Sequence, residues 1–110
     1  MIADVGAQLR KGVVEYCVLG LLASEPTYGW QLSEALVSRG LIASIGTLYP
    51  ILSRLRTQGL VSSFDRQSDA GPSRRYYRVT ETGNRQLTIF REQWGPFART
   101  VNDLVGEDSP

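Results

Sequence analysis

Eleven arginines, a single lysine and no histidine define the chemistry open to this sequence. Arginine presents a planar, permanently charged fork suited to bidentate contact with phosphate and with guanine edges. The absence of histidine removes the commonest general base and the commonest transition-metal ligand. One cysteine, Cys17, excludes an intramolecular disulfide and a cysteine-based zinc site. No carboxylate pair at short fixed spacing within one element offers acid–base catalysis. The expectation is a binding protein that is not an enzyme, holds no metal and needs no cofactor. Cys17 falls on an apolar helical face with only Arg10 and Lys11 nearby, which predicts an inert core thiol.

The arginines are unevenly spread. Residues 1–38 carry a net charge of −2 and residues 86–110 again −2, whereas residues 39–85 carry +5. That middle segment holds Arg39, Arg54, Arg56, Arg66, Arg74, Arg75, Arg78 and Arg85 against only Asp65, Asp69 and Glu81. A charge run of this kind is either a solvated, salt-bridged face or a polyanion-binding one, and the choice depends on where the arginines fall.

The elements that must position them follow from apolar spacing. The chain of 110 residues is one domain's worth, 42% apolar, with no apolar run long enough to span a bilayer. Its first residues, Met1–Gln8, lack the basic cluster of a signal peptide, and a cytoplasmic location is expected. Leu9, Val13, Tyr16/Cys17 and Gly20/Leu21 recur at helical spacing and predict a first helix from about Gln8 to Ala23. Pro26 blocks its continuation. Thr27 is placed to cap a second helix over Tyr28–Ser38, with Leu32, Ala35 and Leu36 inward. Ser44 is the next N-cap candidate. The helix it would open, Ile45–Gln58, has Leu48, Ile51/Leu52 and Leu55 on one face and Gly59 as its stop, with Pro50 predicted to kink it. Leu60–Asp65 and Ser73–Val79 read as strands around a loop at Arg66–Pro72.

Thr80 then caps a last helix over Glu81–Val105. Gly83, Leu87, Phe90, Trp94, Phe97, Val101 and Leu104 step along it by 4, 3, 4, 3, 4 and 3 residues. This is the seam of a helix that packs lengthwise against another helix. Spanning roughly 32 Å, it is longer than so small a domain can cover. Gly95–Pro96 interrupts the pattern without shifting its register, which predicts a kinked but single helix. Val105–Pro110 reads as a frayed tail.

Three helices, a two-stranded hairpin and a final helix make a mainly α fold with a small β-hairpin. The order is that of a winged helix-turn-helix (residues 1–80) followed by a C-terminal dimerisation helix and tail (residues 81–110). With its apolar side anchored, the third helix would turn Gly46, Thr47, Pro50, Ser53 and Arg54 toward a DNA major groove. Arg74 and Arg75 on the hairpin would reach an adjacent groove or backbone, and one of them is also placed to pair with Asp65 or Asp69. A winged-helix protein-interaction module without DNA binding is the alternative reading.

The residues also resemble a known family. Leu9–Arg10–Lys11–Gly12, Leu19–Gly20–Leu21–Leu22 and Thr27–Tyr28–Gly29–Trp30–Gln31–Leu32 look like the opening of PadR-type transcriptional regulators. Gly46–Thr47–Leu48–Tyr49–Pro50–Ile51–Leu52–Ser53–Arg54–Leu55, then Gly59–Leu60–Val61, is similar to that family's recognition-helix signature. Arg75–Tyr76–Tyr77–Arg78–Val79–Thr80 with Gly83 resembles its second wing strand. The likeness covers about residues 9–104, and the single last helix is that of the short-form subfamily. It implies a homodimer joined through the first helix (Leu9, Val13) and the last (Leu87, Phe90, Trp94, Phe97, Val101, Leu104). It further implies a pseudo-palindromic operator, usually repressed, with Tyr28, Thr47 and Tyr49 on the DNA beside Ser44, Pro50, Ser53, Arg54, Arg74 and Arg75. Some short-form members bind flat aromatic compounds near the position of Trp94; Phe90, Phe97 and Glu15 would flank such a planar ligand here. Trp30 and Gly95–Pro96 depart from the commonest family pattern.

Overall fold

The computed structural model describes residues 5–106. Five helices and three strands follow one another as α1 (Val5–Arg10), α2 (Val14–Ser24), β1 (Thr27–Tyr28), α3 (Gly29–Val37), α4 (Ile45–Thr57), β2 (Val61–Ser68), β3 (Gly71–Val79) and α5 (Glu81–Val105). The expected first helix is therefore two. Gly12 takes a φ of +84°, a left-handed conformation that only glycine adopts without strain. The chain turns there, with Val13 N–H donating to Arg10 C=O at 3.0 Å. The apolar spacing runs unbroken through the turn, so periodicity gave no sign of it.

The second correction is β1. Thr27 and Tyr28, read as a cap and a first helical residue, instead pair antiparallel with Tyr77 and Tyr76. The sheet order is β1-β3-β2, and Tyr28 takes the N-cap position of α3 in extended conformation. The wing strands are also longer than their composition predicts: pairing runs from Val61↔Val79 to Ser68↔Gly71 and leaves Asp69–Ala70 as the turn, with an irregularity between Arg66 and Ser68. Arg66 and Gly71, read from the sequence as the ends of a loop, pair with Arg74 and Ser68, and Pro72 falls opposite the irregularity.

The core is leucine-rich. Val18, Leu19 and Leu22 of α2 meet Leu32 and Leu36 of α3 and Leu48, Leu52 and Leu55 of α4, all almost fully buried. Ile42, Ile51, Val61, Tyr77 and Leu87 close its edges. These are the inward positions that the spacing predicts for α3 and α4. Pro50 lies inside an uninterrupted α4, which ends with Gly59 at a φ of +76°.

At the junction of α4, the sheet and α5, the backbones come close. Thr80 accepts a hydrogen bond on its Oγ1 from Gly83 N–H at 3.0 Å and donates from the same hydroxyl to Gly59 C=O at 2.7 Å. Its N–H reaches Leu60 C=O at 3.0 Å. The predicted N-cap is thus made, and it doubles as a latch onto the end of α4. Gly83 sits so near this corner that a Cβ would lie 2.1 Å from Leu60 C=O. From there α5 runs as one element through Gly95 and Pro96 to Val105. Of the expected tail, Glu107–Pro110 lies outside the described residues.

The corner makes a prediction. Gly83→Ala should lower stability in thermal or urea unfolding by about 3 kcal/mol, since the obstructing atom is backbone and cannot step aside. Gly46→Ala, whose Cβ would meet only Ser44 Oγ at 3.5 Å, should be neutral or stabilising by up to about 1 kcal/mol.

Candidate nucleic-acid interface

The outward side of α4 is built by the burial of its other side. With Leu48, Ile51, Leu52 and Leu55 in the core, Gly46, Tyr49, Pro50, Ser53 and Thr57 form an exposed stripe. Ser44 precedes it in extended conformation, but its hydroxyl caps no N–H of the helix; Thr47 N–H bonds to the Ser44 carbonyl at 3.0 Å instead. The amides of Ile45 and Gly46 at the head of the helix are therefore uncapped by a side chain, an arrangement that favours an anion.

Thr47 and Arg54 do not share this stripe. They lie on its flank and, with Ile51, line a groove shared with Lys11, Gly12, Glu15 and Ile42. Arg54 is the clearest departure from expectation: its Nε donates to Glu15 Oε1 at 2.7 Å, and its Nη2 reaches the same oxygen. Its charge is committed to α2, not free for a groove. The opposite flank carries Arg56, beside Ser53 and Thr57. Sequence reading passed over Arg56, although it follows Ser53 by three residues.

A cleft of about 330 Å³ lies where α3, α4 and the sheet converge, lined by Tyr28, Gly29, Trp30, Tyr49, Arg74, Arg75 and Tyr77. Its existence depends on β1, which brings Tyr28 beside Tyr76, and on Gly29, where a Cβ would stand 3.3 Å from Tyr49 Oη. Arg74 holds its guanidinium 4.7 Å from the Tyr28 ring centroid. Arg75, on the other side of the strand, makes the anticipated pair with Asp65 at 3.5 Å. Burial pushes the Tyr77 hydroxyl above its ordinary pKa, with Arg75 working in the opposite sense, so at neutral pH it is an uncharged donor. Three tyrosines and two arginines line this open cleft, Arg75 held by Asp65 and Arg74 without a carboxylate partner among the described residues, a set that suits a phosphate. Four of the sequence-derived contact residues, Tyr28, Tyr49, Arg74 and Arg75, thus meet in one place, with Pro50 and Ser53 continuing along α4. Trp30, noted in the sequence only as a departure, is a wall of this cleft.

A second site forms along α5. Tyr16 stacks on Phe90 with ring centroids 4.2 Å apart, Phe90 on Trp94 at 5.5 Å, and Trp94 tilts against Phe97 at 6.3 Å. These rings, with Lys11, Val13, Ile89 and Gln93, line an open groove of about 390 Å³. Glu15, expected to flank it, does not line this groove; it points to Arg54. Beyond Phe90 the seam leaves the core: Trp94 is 43% exposed, Phe97 61% and Leu104 80%. Val101 is exposed as well, and Leu9 of α1 stands in solvent. Among the described residues no helix is long and apolar enough to cross a membrane, and no cluster of metal-ligating side chains forms.

Comparison with known proteins converges on one group. The family model described as the transcriptional regulator PadR-like family matches residues 18–89. A transcriptional regulator of Mycobacterium tuberculosis is 36% identical over 94 residues, covering 86% of this chain and 87% of the relative. The crystal structure of a PadR-like transcriptional regulator from Bacillus cereus is 37% identical, with a TM-score of 0.83 over 92% of this chain and 99% of that one. A PadR family transcriptional regulator from Eggerthella lenta gives 33% identity and a TM-score of 0.81, covering 96% and 92% of the two chains.

Cys17 is half-buried on α2, and desolvation raises its thiol above the ordinary value of 9.0. The thiolate is the reactive form, and less of it exists at any pH below that midpoint. In a reaction with Ellman's reagent at pH 8, native protein should therefore label at least several-fold more slowly than urea-unfolded protein. Equal rates would remove the inert-thiol reading.

Proposed function

Because this chain belongs to the transcriptional regulator PadR-like family, whose members regulate transcription and are not enzymes, we propose that it acts as a homodimeric repressor of a pseudo-palindromic operator. DNA-binding regulation comes with the family. The finer reading is carried by one observation: Tyr28, Tyr49, Arg74 and Arg75 line a single cleft at the edge of the exposed stripe of α4. In this reading Gly46, Pro50 and Ser53 enter the major groove, while Ser44 and Thr47 bond the backbone at the start of α4. Arg54 acts indirectly, tying α4 to α2 through Glu15. Residues 1–80 form the DNA-binding head and residues 81–110 the dimerisation helix and tail, and the protein works in the cytoplasm.

Dimerisation is supported by the run of exposed apolar residues on α5. Trp94, Phe97, Val101 and Leu104 form a patch that a monomer would leave in water. Two such helices laid together would bury them and extend the seam that Leu87 and Phe90 begin, with Leu9 and Val13 closing its near end. Two heads held in this way must present their α4 helices about 34 Å apart to read successive major grooves.

The ladder of Tyr16, Phe90, Trp94 and Phe97 supports a planar aromatic effector, since such faces hold a flat molecule at low entropic cost. Wedged between the Trp94 side chains of two protomers, it would alter the angle between the α5 helices and hence the separation of the heads.

Two measurements test this. Titration of fluorescent duplex DNA from upstream of its own gene should give binding that weakens steeply as salt rises from 50 to 200 mM, with a dimer in light scattering; a monomer at micromolar concentration, or binding indifferent to salt, would overturn the reading. Planar aromatic compounds should quench tryptophan fluorescence in the native protein but not in a dimeric Trp94→Ala variant, where only Trp30 still emits. Equal quenching in both would remove the effector.

A further inference from the structure

A groove of about 370 Å³ lies where the α1–α2 turn, the connection from α3 to α4 and the flank of α4 meet. That volume is in the range of small-molecule sites, about 300–1,000 Å³. The groove exists because Gly12, at a φ of +84°, turns the chain and sets the end of α1 beside the start of α2.

Its floor is aliphatic. Val14, Ile42 and Ile51 are core side chains that also border the groove, with Leu41 half-buried and Ala43 exposed beside them. Among the described residues no aromatic ring lines it. Its rim is basic: Arg10, Lys11 and Arg54 stand against a single carboxylate, Glu15, three positive charges to one negative. Glu15 takes Nε and Nη2 of Arg54 on one oxygen, and so leaves Nη1 of that guanidinium outside the pair. Arg10 and Lys11 have no carboxylate within ion-pair distance among the described residues.

The two features together select a ligand. A phosphate of a DNA backbone would use the rim and leave the floor in water. A planar aromatic compound would find no ring to stack on. An anion with an aliphatic chain uses both, its chain drying the floor while its head meets a guanidinium edge. We propose that this groove binds a free medium-chain aliphatic carboxylate, its chain on Val14, Leu41, Ile42 and Ile51 and its head toward Arg10 and the open edge of Arg54. The site is separate from the aromatic ladder along α5, which it meets at Lys11 and Gly12. A ligand in the groove touches α4 directly through Ile51 and Arg54, whereas one on the ladder reaches α4 only through the root of α5. The proposal depends on neither the DNA reading nor the aromatic effector, and its test reads binding alone.

The test is calorimetric titration of the full chain with sodium decanoate, kept below its micelle concentration. Binding should saturate at one per chain with a dissociation constant tighter than about 1 mM. Affinity should rise from hexanoate through octanoate to decanoate by about two- to fourfold per methylene. Decanol, which lacks the charge, should bind at least several-fold more weakly than decanoate. Ala43 is exposed, so Ala43→Glu and Ala43→Gln should both fold, and the glutamate variant should bind decanoate at least several-fold more weakly than the glutamine one. Gln93→Glu, which places the same charge in the aromatic groove, should bind as the native chain does. Equal affinities in the two Ala43 variants, equal binding of decanol, or a loss in Gln93→Glu would overturn the proposal. Absence of saturable binding would overturn it too, and would leave the groove to a second copy of the chain or to the DNA backbone.

Discussion

The contact between Gly83 and the carbonyl of Leu60 is the constraint on which the rest of the molecule hangs. A long helix gives a fixed direction to whatever it joins only if its root is fixed. Here the root is pressed against the corner where α4 ends and β2 begins, at a distance that admits no side chain. Thr80 completes the corner by capping α5 and bonding to the end of α4 with one hydroxyl. Leu87 and the Tyr16–Phe90 stack then hold the next two turns of α5 against α2. The direction of the apolar seam and the direction of α4 are consequently set by the same few atoms. A change of angle at one is a change of angle at the other.

Charge is sorted by the same architecture. The middle of the chain is basic, but its arginines have distinct employments. Arg54 binds α4 to α2 through Glu15, Arg75 ties the two wing strands through Asp65, and Arg39 turns back to the carbonyl of Ala35. The two ion pairs among these are partly exposed and add little stability each, of the order of 1 kcal/mol or less; their effect is to fix positions and cancel charge locally. Of those without a carboxylate partner among the described residues, Arg66, Arg74 and Arg78 lie over aromatic rings on the outer face of the sheet, and Arg74 also lines the cleft beside Tyr49. A count of arginines along the sequence measures the total, and only the fold separates the structural ones from those available to a partner.

Much of this was legible beforehand. The limits of α5, its Thr80 cap, the buried face of α4 and the Gly59 stop follow from local rules, because each depends on neighbours three or four residues away. The winged helix-turn-helix order and the motif around Tyr49 likewise survive without coordinates. The misses share a cause in contacts distant along the chain. The strand at Thr27–Tyr28 exists only because β3, some fifty residues later, supplies its partner. The Glu15–Arg54 pair joins residues 39 apart. The break at Gly12 was hidden for another reason, since a left-handed glycine turned the chain without disturbing the apolar rhythm on either side.

Pro96 has no N–H to offer the carbonyl of Glu92, so α5 lacks one rung just beyond Trp94 while remaining a single helix. A rod missing a rung on one side is compliant in bending there and stiff elsewhere. The portion rooted in the corner and the portion bearing Val101 and Leu104 are therefore joined by a flexure, and a load applied at the far tip is absorbed there before it reaches the root.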